Sequence, residues 1–113
     1  FIESYKKVLP ILKKNIINLN YLNKSTIIEK DIFNQLDFNT LKNKFDIIFM
    51  DPPYKEKLLP ELFKKIFETK ILNKEGIITI HRHKNEIDDF HKSFKIMEEK
   101  SYGISKIIFG KFF

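Results

Sequence analysis

Phe45-Asp46-Ile47-Ile48-Phe49-Met50-Asp51-Pro52-Pro53-Tyr54 is the stretch on which the fold turns. Its first six residues are nearly all apolar, as suits a parallel strand covered on both faces. Two adjacent prolines cannot donate to a strand ladder. The strand must therefore stop at Asp51, and the chain must continue as a loop with φ fixed at two positions. Downstream, Leu58, Leu59, Leu62, Ile66 and Phe67 recur at helical spacing. Asn73 to Gly76 reads as a turn, and Ile77-Ile78-Thr79-Ile80 as a second buried strand. Phe94 to Glu99 and Ile104 to Phe109 flank Tyr102-Gly103 and predict a terminal hairpin. Strand, loop, helix and strand in this order argue for an α/β fold with a mostly parallel sheet.

Upstream of that stretch, Phe1-Ile2-Glu3 reads as the end of a buried strand, with Ser4 as the N-cap of a following helix. Val8, Ile11, Leu12, Ile16 and Leu19 share a helical face. Pro10 either kinks that helix or sits in its first turn, with the start near Leu9 and the end near Asn18 to Asn20. Thr26 to Glu29 is a short β-rich run, and a short helical piece is expected over Ile32 to Leu36. The first residue is Phe1 and lies inside an apparent strand, so the expectation is a single partial domain over 1–113 that lacks an N-terminal part.

Composition narrows the class. A hydrophobic fraction of 42% beside 32% charged residues is globular and excludes a disordered chain. The net charge of +6 comes almost wholly from lysine, Arg82 being the only arginine. Such a balance favours a polyanionic partner, although a bias toward Lys, Asn and Ile codons produces the same excess. There is no cysteine, hence no disulfide and no thiolate metal site, and the three histidines are not spaced as metal ligands. No apolar run approaches the length of a membrane span, and a cytoplasmic protein without a metal is expected.

In open α/β sheets, ligands bind beyond the carboxyl ends of the strands. Three acids fall at such ends: Glu3, Asp31 and Asp51. An acid ending an early strand suits the two hydroxyls of a ribose, and an acid after the next strand suits an adenine amine. The plainer alternatives are that Glu3 supports the dipole of the next helix and that Asp31 is an N-cap. Asp51 differs because the Pro-Pro loop holds it stiffly. Its carboxylate and the Pro52 carbonyl can both accept hydrogens from one –NH2 group. Tyr54 offers a flat face, on which a stacked base gains about 1–3 kcal/mol. Such a base has to leave its own stack to arrive there. Asp46, at the other end of its strand, reads as structural. His81, Arg82, His83 and Lys84 read as a basic cluster after a strand, either touching phosphate or merely solvated. Most of the twelve phenylalanines belong in the core.

Asp51-Pro52-Pro53-Tyr54 after an apolar strand resembles the catalytic motif of amino-methyltransferases that act on adenine, cytosine or guanine. The ordered set is more specific: Phe1-Ile2-Glu3, Leu12-Lys13-Lys14-Asn15-Ile16, Asp31, Phe45 through Tyr54, Leu72-Asn73-Lys74-Glu75-Gly76 and Ser101-Tyr102-Gly103. Together these resemble the bacterial 16S ribosomal RNA guanine-N2 methyltransferases, the RsmD-like family. The resemblance implies a Rossmann-like class I methyltransferase sheet with a C-terminal antiparallel hairpin, its first strand and glycine-rich loop lying before Phe1. It implies S-adenosylmethionine as cofactor, with Glu3 on the ribose, Asp31 on the adenine amine and Ile32 lining the adenine pocket. It implies that Asp51, Pro52, Pro53 and Tyr54 hold and stack the target guanine. The implied partner is ribosomal RNA or the assembling small subunit, met by a monomer when complete and by no membrane. His81 departs from the pattern, since many relatives carry Glu there. The rival expectations are a DNA adenine-N6 or cytosine-N4 methyltransferase and a non-catalytic RNA-binding remnant.

Overall fold

The computed structural model describes residues 1–113, which divide into two compact units, 1–37 and 38–113. In the first unit, helix α1 covers Leu9–Asn18 with Pro10 in its first turn, where a missing N–H costs nothing. The kink alternative is excluded. Ser4 is not the N-cap; Val8 occupies that position without a side-chain hydrogen bond. The helix ends at Leu19, and Asn20 follows at φ 58, the left-handed conformation that stops helices. Of the residues in α1, Ile16 alone is buried.

The β-rich run Thr26 to Glu29 forms less structure than its composition promises. It makes one isolated parallel bridge, Ile28 with Ile2. The bridge is carried by Glu3 N–H to the Ile28 carbonyl at 3.1 Å and Ile28 N–H to the Phe1 carbonyl at 2.8 Å. Residues 32–35 form turns rather than the expected helical piece. Asp31 explains why: its carboxylate and carbonyl both bond to the residues that follow, closing a tight local loop.

The second unit is a four-stranded sheet with one helix. Strand β1 covers Phe45–Met50, helix α2 Leu59–Thr69, β2 Leu72–His83, β3 Phe94–Tyr102 and β4 Ser105–Phe112. The order is β1-β2-β4-β3. β1 and β2 are parallel, and β4 lies antiparallel between β2 and β3. The hairpin closes through Gly103 at φ 56, a conformation that glycine reaches without penalty. The expected turn at Asn73 to Gly76 is instead part of β2, which runs unbroken to His83. From Leu72 to Ile77 the strand advances five residues while β1 advances two, from Phe45 to Ile47. The turn-forming residues are thus absorbed as a bulge, and Asn73 Nδ2 ties it to Asp46 Oδ1 at 2.6 Å.

The core of this unit lies under α2. Leu59, Leu62, Phe63 and Ile66 are buried, as are Ile78, Ile80 and Ile108 from the sheet. Each such side chain contributes about 1.5–3 kcal/mol of transfer free energy. Phe63 stands among Phe90, Phe94 and Phe112 at ring separations of 5.0, 4.7 and 6.1 Å. Helix and sheet thereby fix where β1 and β2 end, and those ends carry the polar groups of interest.

Candidate active site

β1 ends at Met50, paired with Ile80 of β2. The residues that follow on the two strands therefore face one another: Asp51 to Tyr54 on one side, His81 to His83 on the other. The prolines turn the chain away from the sheet at Asp51. The loop then leads into α2, whose Pro60 again occupies the first turn.

Asp51 is largely exposed, its side chain being 61% accessible. Its Oδ1 lies 2.8 Å from His81 Nδ1. A carboxylate can only accept, so Nδ1 carries the proton in that bond. His81 Nε2 lies 2.9 Å from Ser105 Oγ on β4. With neutral imidazole the hydroxyl of Ser105 donates to Nε2, and the chain Ser105, His81, Asp51 holds one oxygen of the carboxylate in place. The second oxygen, Oδ2, has no partner within the chain.

The loop carbonyls divide in the same way. Pro53 O accepts from Glu56 N–H at 2.9 Å and from Arg82 Nη1 at 2.8 Å. Tyr54 O accepts from Arg82 Nη2 at 3.0 Å. Pro52 O accepts from nothing in the chain. Asp51 Oδ2 and Pro52 O are therefore acceptors left open on adjacent residues. The Tyr54 ring is half-buried and meets His81 and His83 edge to face, with centroids 5.9 and 5.3 Å away.

Arg82 is not a solvated cation after a strand. It lies inside β2, 1% exposed, and is bound in bidentate fashion to Asp88. The reading of His81 to Lys84 as a cluster after the strand, touching phosphate or merely solvated, is corrected for Arg82, because the strand continues through His83 and sends Arg82 inward. His81 and Arg82 are the site residues that sequence reasoning missed. The signal was the parallel register, which brings the residues after Ile80 beside those after Met50.

The acids expected at a cofactor lie in the first unit. Glu3 Oε1 accepts from Tyr5 N–H at 2.8 Å, which leaves Oε2 open. Asp31 Oδ1 accepts from Phe33 N–H at 2.8 Å and Oδ2 from Asn34 Nδ2 at 3.2 Å. Asp31 thus closes a local turn through its side chain, and no helix follows for it to cap as its plainer alternative required; each oxygen retains a lone pair. The half-buried Ile32 has a backbone N–H that donates to nothing in the chain. No group of three or more His, Asp or Glu is placed to hold a metal ion. No helix is long and apolar enough to cross a membrane.

Comparison with known proteins adds to this geometry. Residues 1–111 match the family model described as "Conserved hypothetical protein 95". The chain is 34% identical over 86 residues to an "uncharacterized methylase" of Rickettsia prowazekii, covering 75% of this chain and 36% of that protein. It is 31% identical over 99 residues to the "Ribosomal RNA small subunit methyltransferase D" of Buchnera aphidicola, covering 88% of this chain and 51% of the relative. It therefore spans between a third and about half of the length of these relatives. A solved structure of a conserved hypothetical protein from Streptococcus pyogenes superposes with a TM-score of 0.80 at 25% identity, over 96% of this chain and 68% of that one. A ribosomal protein L11 methylase from Lactobacillus delbrueckii shares the fold alone, with a TM-score of 0.62 at 14% identity over 98% of this chain and 55% of that one.

Proposed function

The chain belongs to the family of conserved hypothetical protein 95, that of the RsmD-like methyltransferases with their Rossmann-like fold, and from that premise we propose that it methylates the exocyclic N2 amine of a guanine in small-subunit ribosomal RNA. The observation that carries the reading is the pair of open acceptors, Asp51 Oδ2 and Pro52 O, on a loop whose next two carbonyls are already bonded. An –NH2 group supplies two donors to two acceptors. A keto oxygen at the same place would meet acceptors alone. The guanine and the ribosomal RNA rest on the family resemblance and on the name of the Buchnera relative.

The residues present fit S-adenosylmethionine, which when bound supplies an electrophilic methyl group. Glu3 keeps an open carboxylate oxygen suited to a ribose hydroxyl. Asp31 and the Ile32 N–H offer an acceptor beside a donor, matching an adenine amine beside a ring nitrogen. In the second unit, Asp51 and Pro52 hold the target amine by both hydrogens. That geometry draws the nitrogen lone pair out of conjugation with the ring. Tyr54 stacks the extruded base. The protein contributes position and hydrogen bonding and no covalent intermediate of its own.

Substitution of Asp51 tests the assignment. In the protein that carries this chain, Asp51→Ala should lower kcat by about 10²-fold or more, while the affinity for S-adenosylmethionine stays near wild type. Undiminished methyl transfer to ribosomal RNA by that variant would refute it.

A further inference from the structure

Arg82 is the chain's single arginine and is 1% exposed, a costly place for a cation. Its Nε and Nη2 bond to the two oxygens of Asp88 at 2.9 and 2.8 Å, and the Asp88 side chain is itself 7% exposed. A buried ion pair of this kind is often replaceable by apolar residues without loss of stability. This one does more than pair. Its remaining donors cross to a segment 28 and 29 residues earlier, Nη1 to the carbonyl of Pro53 and Nη2 to that of Tyr54. Glu86 lies 3.8 Å from Nη2 and adds charge at the rim.

The consequence lies in the loop backbone. Proline rings fix φ at 52 and 53. The guanidinium fixes the two peptide planes that follow, those bearing the carbonyls of Pro53 and Tyr54. These constraints adjoin the Pro52 carbonyl, which accepts from nothing in the chain. Only a planar fork can serve Asp88 and two backbone oxygens together, because a lysine ammonium is a point charge on a flexible stem.

We infer that Arg82, seated on Asp88, is a positioning residue that sets the direction of the Pro52 carbonyl and the placement of Tyr54 for the target base. The kinetic part rests on the methyltransferase reading; the structural part does not. Two variants test it: Arg82→Lys, which keeps a cation for Asp88 but loses the fork, and the double change Arg82→Met with Asp88→Leu, which removes both charges.

Two readouts are needed. The first is hydrogen exchange of the Glu56 amide, which bonds to the Pro53 carbonyl that Arg82 also holds. Its exchange should quicken by about tenfold or more in both variants while the amides of the β2–β4 ladder keep their protection. The second is steady-state methyl transfer, in which kcat should fall by about 10²-fold with the affinity for S-adenosylmethionine unchanged. Unchanged Glu56 exchange in Arg82→Lys, or a kcat within about twofold of wild type in either folded variant, would overturn the inference. If the unsubstituted protein transfers no methyl group, the functional reading fails and the exchange experiment still decides the role of Arg82.

Discussion

Asp51 and Tyr54 are three positions apart in one loop and require different kinds of support. Asp51 needs an orientation, which His81 and Ser105 supply through two hydrogen bonds of 2.8 and 2.9 Å. Replacing His81 by Ala should release the carboxylate rotamer and lower kcat by about tenfold, measured beside Asp51→Ala as the lower limit. Tyr54 needs a place for its ring more than for its hydroxyl. Tyr54→Phe should therefore retain most activity, and Tyr54→Ala should lose the 1–3 kcal/mol typical of a base stack, about 5- to 150-fold in RNA affinity. Equal losses in the two variants would assign the role to the hydroxyl instead. Asp51 to Tyr54 were legible in the sequence because prolines write a local backbone constraint. His81 and Arg82 were not, because their roles depend on a pairing between segments some thirty residues apart. Glu3 and Asp31 were expected at strand ends, but the segments before them meet only in the isolated bridge of Ile2 and Ile28, and both acids accept from nearby backbone amides, which composition alone does not separate from binding.

The periodic elements were legible for the same reason of locality. The apolar stripe of α2 shows its burial in its spacing, whereas the apolar run of β1, expected to be covered on both faces, is mostly exposed, Met50 alone being buried, because β1 is an edge strand of this sheet. Asn73 to Gly76 misled because the residues that favour turns also favour bulges, and the choice depends on whether the neighbouring strand continues. Here β1 continues, so β2 does as well. The crowding around Gly110 on β4 was equally invisible in sequence. A Cβ there would run into the Phe94 ring and come within 2.6 Å of the Lys95 carbonyl. Gly110→Ala should thus destabilise the second unit by about 1–3 kcal/mol, seen as a lower urea midpoint with an unchanged slope. A midpoint equal to wild type would mean that β3 yields more easily than its packing implies.

At the scale of the molecule, β1 is an edge strand of its sheet, with Ile47 at 69% and Phe49 at 64% exposure on one face. An apolar edge of this kind promotes association between copies. The 113-residue chain should self-associate with rising concentration, and Ile47→Lys should suppress this in sedimentation velocity. The net charge of +6 favours a polyanionic partner without identifying it, and the two open acceptors suit an amine without choosing among bases. The measurement that reaches the central claim most directly is therefore the identity of the product. The protein carrying this chain would be incubated with unmodified small-subunit ribosomal RNA and isotopically labelled S-adenosylmethionine, and the nucleosides resolved by mass spectrometry. Label in N2-methylguanosine is the predicted result. Label in N6-methyladenosine or N4-methylcytidine, or no label in any nucleoside, would contradict it.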